Sequence, residues 1–150
     1  MQKEVVTGMS EEIRVGEYVI PKNLLYTEKH HWVKVEDKRA RIGITDYAQK
    51  RLKEIVYVEL PEVGEELVKG ESYGTVESMK AAEDLYAPLS GKVVEVNEEA
   101  VSDTSLINED PYGNGWLLVI ELSNPEEVKE LLTPEQYTEI IKREIEKKSK

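Results

Sequence analysis

Tyr73-Gly74-Thr75-Val76-Glu77-Ser78-Met79-Lys80-Ala81-Ala82-Glu83-Asp84-Leu85-Tyr86-Ala87-Pro88 is the segment on which the reading of this chain turns. It reads as two short strands joined by a turn, with Val76 before the turn and Leu85 and Tyr86 after it. Pro88 and Ser90-Gly91 close the second strand. A lysine at a hairpin tip has no packing role: it is exposed, mobile and open to an enzyme from both sides. Lys80 therefore has the placement a swinging cofactor arm needs, since such a side chain is covalently modified and then visits several active sites.

Composition narrows the classes. One domain is expected from 150 residues, enough to bury about two-thirds of the unfolded surface without staples. There is no cysteine, which excludes a disulfide framework and a thiolate metal site. The net charge of −11 argues against a nucleic-acid partner, whose phosphates would be repelled, and favours steering toward basic rims on partner enzymes. Met1 to Arg14 has no apolar run of the signal-peptide kind and no apolar stretch has membrane-spanning length, so the expected compartment is the cytoplasm.

Outward from the central hairpin, the chain reads mostly as strands. Residues 1–15 are polar and lack periodicity, and residues 1–17 are expected to form an N-terminal extension to a carrier domain spanning 18–150. Tyr18 to Val35 is strand-like, interrupted by Pro21 and by Glu28 to His30, and Ala40 to Ile44 is a further strand. Thr45 is placed to cap a short helix carrying Asp46 in its first turn, with Tyr47, Ala48, Leu52 and Ile55 near helical spacing. Ile55 to Leu60 alternates again until Pro61 and Gly64. Glu62–Gly70 and Leu89–Asn97 look like weak copies of each other on either side of the lysine hairpin. Such a pair fits a small flattened barrel or sandwich of many short strands.

The C-terminus changes to helical signals over residues 125–147. Asn124-Pro125-Glu126-Glu127 supplies a cap, a first-turn proline and first-turn acids. Thr133 and Gln136 have capping-box spacing, and Tyr137, Ile140, Ile141, Glu144 and Ile145 fall on one largely apolar stripe, read as a helix packed over one side of the sheets. Trp32, Tyr57, Trp116 and the turn Pro111-Tyr112-Gly113 are assigned to packing.

Six further blocks join the lysine hairpin in order: Leu25-Tyr26-Thr27, His30-His31-Trp32-Val33, Ile42 to Gln49, Ile55 to Pro61, Leu85 to Asn97 and Asn108 to Trp116. Together with Glu77-Ser78-Met79-Lys80-Ala81-Ala82 they resemble the glycine cleavage system H proteins over roughly residues 19–145. The resemblance implies a mainly β fold, a flattened lipoyl/biotinyl-type β-barrel-sandwich hybrid with a short internal helix and C-terminal helices. It implies lipoic acid in amide linkage on Lys80. It also implies a carrier that catalyses nothing itself and shuttles an aminomethyl group on that arm. The implied partners are a pyridoxal-phosphate glycine decarboxylase, an aminomethyltransferase, dihydrolipoamide dehydrogenase and the lipoate-attaching enzyme, with no nucleic acid and no membrane.

The resemblance puts Asp84 near the parked arm, where a carboxylate faces a cationic amine; read by itself, Asp84 is also an ordinary hairpin acid. Glu77 is either read by the attaching enzyme or plain surface, and small Ser78 and Ala81 leave the tip accessible. The family usually has an acid where this chain has His31, and often histidine where it has Arg51. Residues 101–105 also lack a proline common there. Those departures keep a second carrier reading open, an H-like lipoate-binding protein of a heterodisulfide-reductase-like sulfur-oxidising system. A biotinyl carrier is the third reading: Met79-Lys80 matches half of that motif, and Ala81 breaks the other half. An independent enzyme lacks a candidate constellation, with no Cys nucleophile, no Gly-rich phosphate loop and no supported Ser/His/Asp arrangement. His30-His31, without Cys or clustered acids nearby, is a poor metal pair.

Overall fold

A computed structural model describes residues 11–148, with the side chain of residue 148 left out; the part of the expected N-terminal extension in residues 1–10 lies outside the described residues. The elements run β1 (Glu12–Val15), β2 (Tyr18–Pro21), β3 (Leu25–Tyr26), β4 (His31–Glu36), β5 (Arg39–Ile44), α1 (Asp46–Leu52), β6 (Ile55–Glu59) and β7 (Glu66–Leu67). They continue with β8 (Ser72–Ser78), β9 (Ala82–Tyr86), β10 (Gly91–Val96), α2 (Glu98–Ser102), α3 (Ser105–Glu109), β11 (Leu118–Leu122), a 3₁₀ helix (Pro125–Glu130) and α4 (Pro134–Lys148).

Six strands form one antiparallel sheet in the order β3-β4-β5-β11-β10-β7, and three form a second in the order β6-β8-β9. Strands too short to bury both faces make a core only by stacking. Here Val33, Ile42 and Ile120 of the larger sheet pack with Val58, Val76 and Leu85 of the smaller. The result is a flattened sandwich, mainly β. The two resembling stretches lie against each other: β7 pairs with β10, Gly64 donates to the Val93 carbonyl and Val93 donates to Glu65, both at 2.8 Å.

Gly74 shows why the lysine hairpin lies flat on β6. A Cβ there would collide with the carbonyl oxygen of Glu59, so only glycine lets β8 approach that closely.

Two differences from the sequence reading stand out. Residues 12–15, aperiodic in the sequence, form β1 and pair with β2 from Glu12↔Pro21 to Val15↔Tyr18. Four residues are too few for alternation to register, and the strand is held by packing of Ile13 and Val15 against the cluster of Tyr47, Tyr137 and Ile141. The segment after Asn124 is a single 3₁₀ stretch rather than an α-helix, although Asn124 caps it as expected by accepting from the Glu126 amide. Elsewhere the caps act as read. Thr45 Oγ1 accepts from the Ala48 amide at 3.2 Å. Thr133 and Gln136 exchange reciprocal bonds of 2.9 and 3.1 Å.

Candidate functional site

Lys80 stands at the β8–β9 tip, exposed, and takes part in none of the ion pairs among the described residues. The turn is made by Ser78, which is buried. Its amide donates to the Ala81 carbonyl at 2.8 Å, and its hydroxyl oxygen accepts from the amides of Lys80 (3.3 Å) and Ala81 (3.2 Å). A serine that satisfies two tip amides takes the place of backbone pairing that so tight a turn cannot make. Ser78 is thus the clasp of the turn rather than a merely small neighbour, and Met79, 79% exposed, is left with Lys80 on the outside.

Register places the neighbours of the tip. Glu77 pairs with Tyr57 on β6 and with Ala82 on β9, and Thr75 pairs with Glu59 and Asp84. Tyr57, Glu77, Glu59 and Asp84 therefore share the outer face of the three-stranded sheet. Glu77 is half-buried there and Asp84 exposed. A bulge between Ile55 and Tyr57 leaves Val56 without a partner and interrupts alternation. Val56 and Tyr57 are 46% and 48% exposed in consequence, so Tyr57 does not belong to the packing set in which the sequence reading put it. Trp32 does: it is buried and its indole N–H donates to the Pro111 carbonyl at 2.9 Å.

Beside β9 lies a cavity of about 400 Å³ lined by Glu28, Lys29, His30, Arg51, Glu83, Asp84, Tyr86 and Glu144. Asp84 and Arg51 meet here, which the sequence reading did not foresee; Lys80 and Glu77 are not among its walls. Arg51 is drawn to Glu83 at 3.4 Å and lies 5.5 Å over the Tyr47 ring, and the Lys29 ammonium sits 5.4 Å from the Tyr86 ring centre. Four carboxylates face two cations, so the cavity keeps a surplus of negative charge. Glu144 comes from α4, and only its spacing beside the apolar stripe could have pointed to it.

The paired histidines part company. His30 lines the cavity, whereas His31 is 1% exposed and its Nε2 lies 2.7 Å from the Tyr73 hydroxyl. Position 31 is therefore core in this protein. His30, with φ 69°, turns the chain so that its Nδ1 reaches the Tyr137 hydroxyl at 2.8 Å. Burial, helped by the charge of Arg51, pushes the His30 pKa down to about 3, and burial pushes that of His31 down to about 4; both rings are neutral at pH 7. Burial raises the Tyr73 hydroxyl. No group of three or more metal-ligating side chains occurs among the described residues.

The segment that sequence reading marked as lacking a proline is also structurally occupied. Thr104 donates from its hydroxyl to the Ile55 carbonyl at 2.7 Å, and Asn108 accepts from the Ile55 amide at 3.0 Å. Asn108 donates in turn to Gln49 and to the Lys53 carbonyl, so α1, α3 and the start of β6 hold one another in place.

Comparison with known proteins agrees with this geometry. A sequence model described as glycine cleavage H-protein matches residues 24–144. The chain is 56% identical over 128 residues to a glycine cleavage system H protein of Carboxydothermus hydrogenoformans, covering 85% of this chain and 98% of that one. It is 50% identical over 135 residues to a probable glycine cleavage system H protein of Aeropyrum pernix, covering 90% and 94%. A crystal structure of a glycine cleavage system H protein from Mycobacterium marinum superposes with a TM-score of 0.74 at 45% identity, covering 79% of this chain and 95% of that one.

Proposed function

The chain belongs to the glycine cleavage H-protein family, and we propose that Lys80 is the residue on which it bears its lipoyl arm. As a member it is a lipoyl carrier in glycine cleavage and not a catalyst. It works with the decarboxylase and the aminomethyltransferase and holds lipoate covalently on a lysine. The bound group supplies two sulfurs that accept and release the one-carbon unit and cycle between dithiol and disulfide.

The observation that carries the assignment is the tip itself. Lys80 is held out by the Ser78 hydroxyl, which grips its backbone amide and that of Ala81, between two strands whose inner residues are core. That geometry fits a long group on Nζ, because nothing at the tip would have to move to admit it.

The other residues take supporting roles in this reading. Glu77, fixed by its strand partners beside the tip, is offered to the attaching enzyme. Asp84 faces the cavity beside β9, where the surplus of carboxylates favours a cationic amine over a neutral or anionic group. The histidine at 31 does not remove that preference, because its ring is in the core and the acids of β9 and α4 remain. That observation favours glycine over the sulfur-type pathway. Residues 18–150 are the carrier domain, with 1–17 an extension whose strand β1 docks on it. No helix among the described residues is long and apolar enough to cross a membrane. We place the protein in the cytoplasm, which its lack of cysteine suits.

Intact-mass measurement after incubation with lipoate, ATP and the attaching enzyme tests the assignment. The wild type gains one lipoyl mass located at Lys80 by peptide mapping, and Lys80→Arg gains none while keeping its thermal midpoint. A lipoyl mass on Lys80→Arg, or on another peptide, overturns it.

A further inference from the structure

The bulge in β6 turns two consecutive apolar side chains outward beside the tip of the lysine hairpin, between the pairs Ile55↔Ser78 and Tyr57↔Glu77. Val56, Tyr57 and Met79 are three of the most exposed large apolar residues of the described protein. Tyr57 pairs with Glu77, three residues before Lys80, and Met79 adjoins it. Val56 and Tyr57, adjacent in β6 and flanked by carboxylates, with Met79 in the turn next to Lys80, mark a contact surface more than a solvated one. The carboxylates here are Glu77 and Glu59, on the same outer face as Tyr57.

We infer that this platform docks the lipoate-attaching enzyme, through an apolar patch with a basic rim on that enzyme. The inference rests on Lys80 being the modified residue. What singles out this partner is reach. A bare lysine extends its nitrogen only about 6 Å from Cα, by ordinary bond lengths. An enzyme that acylates it must bring its reaction centre that close, so its surface meets the residues around the tip. Once the acyl chain is added the arm is longer, and later partners meet its far end from further out.

The step needs that proximity. Neutral Nζ of Lys80 attacks the carbonyl carbon of a lipoyl-adenylate, the attaching enzyme's activated acyl donor. The C–N bond forms and the acyl C–O bond to phosphate breaks. AMP leaves with the electron pair, and the surplus proton passes to a base or to water. Among the described residues the groups named beside the tip, Tyr57, Glu77 and Met79, are apolar or acidic, so the contribution of this protein is placement. The acids steer a basic-rimmed enzyme and the apolar residues set its register.

The test uses unlipoylated full-length protein, with purified attaching enzyme, lipoate and ATP, following the mass gain with time. The variant Val56→Ser/Tyr57→Ser changes only exposed side chains, and Val68→Ser, at a site 52% exposed elsewhere, is the control. The expected result is a fall of about tenfold in kcat/KM for attachment, carried by KM, in the double variant. Tyr57→Phe retains most of the rate, and Val68→Ser is unaffected. Protein lipoylated to completion by long incubation then exchanges glycine carboxyl carbon with the decarboxylase at the wild-type rate. Unchanged attachment kinetics overturn the proposal. Loss of glycine exchange with attachment intact also overturns it and gives the face to the decarboxylase, and equal loss of both shows a surface common to the partners. Failure of the Lys80 assignment shows separately, as a lipoyl mass on Lys80→Arg.

Discussion

Nδ1 of His30 and the hydroxyl of Tyr137 lie 2.8 Å apart in the interior, joining the turn before β4 to the C-terminal helix. The same hydroxyl is 2.7 Å from Oγ1 of Thr45, the cap of α1. Every atom is satisfied when Thr45 donates to Tyr137 and Tyr137 donates to neutral His30. One phenol thus ties together the three elements that bring His30, Arg51 and Glu144 to the cavity.

Tyr137→Phe keeps the ring stacked on Tyr26, whose centre is 4.7 Å away, and removes only the hydroxyl. Two buried partners then lose a bond, and stability should fall by about 1–3 kcal/mol. Urea unfolding measures it; an unchanged midpoint would show that the network carries no stability.

Stability should also fall in acid through the histidines. Their folded pKa values, about 3 and about 4, lie below the ordinary 6.5, so below that value the unfolded chain binds protons that the folded one refuses. The histidine contribution is fully present above pH ~6.5 and is lost as pH falls toward the folded values. The loss is about 2 kcal/mol per histidine between pH ~7.5 and pH ~5, for pKa shifts of this size. Replacing His31 by Asn should flatten the profile over that interval, with the unfolding free energy in urea at each pH as the readout.

Ser78→Ala removes the oxygen that accepts from two tip amides. The expected cost is about 1 kcal/mol. Hydrogen exchange should quicken at Lys80 and Ala81 in particular, and attachment of lipoate should slow because the lysine is no longer held at one position. Unaltered exchange at the tip would show that the clasp is not what orders it.

Asp84→Asn separates arm from cavity. Attachment should proceed at the wild-type rate, while glycine exchange by the lipoylated variant drops by a few-fold, the effect of an exposed carboxylate worth up to ~1 kcal/mol. Equal exchange would leave Asp84 as a surface acid.

Gly74→Ala tests the close approach of β8 to β6. A methyl group directed at the Glu59 carbonyl must push the strands apart, at about 1–3 kcal/mol. Thermal unfolding reads the loss.

Signals that act within a few residues were legible in the sequence. Thr45 and the Thr133–Gln136 box cap their helices as read, and the Lys80 turn stands where Pro88 and the flanking apolar residues put it. What depended on distant partners was not. The four residues of β1 need the surface made by Tyr47 and Tyr137 before their pattern means anything. The bulge that turns Tyr57 outward follows from how β6 is anchored through Ile55 to Thr104 and Asn108, some fifty positions along the chain. His30 and His31 look interchangeable in a string of letters. A left-handed φ at the first sends one ring to Tyr137 and the other to Tyr73.

The base of the lysine hairpin is shut by a pair of bonds, Gly70 N–H to the Ala87 carbonyl at 2.8 Å and Ala87 N–H to Glu71 at 2.9 Å. Mechanically, a group tethered at the tip pulls on both strands at once and along their length. A tug from an enzyme that has swallowed the arm therefore arrives as tension shared by two strands. It does not peel one strand from the other, and the hairpin can be hauled on at every visit without coming unzipped.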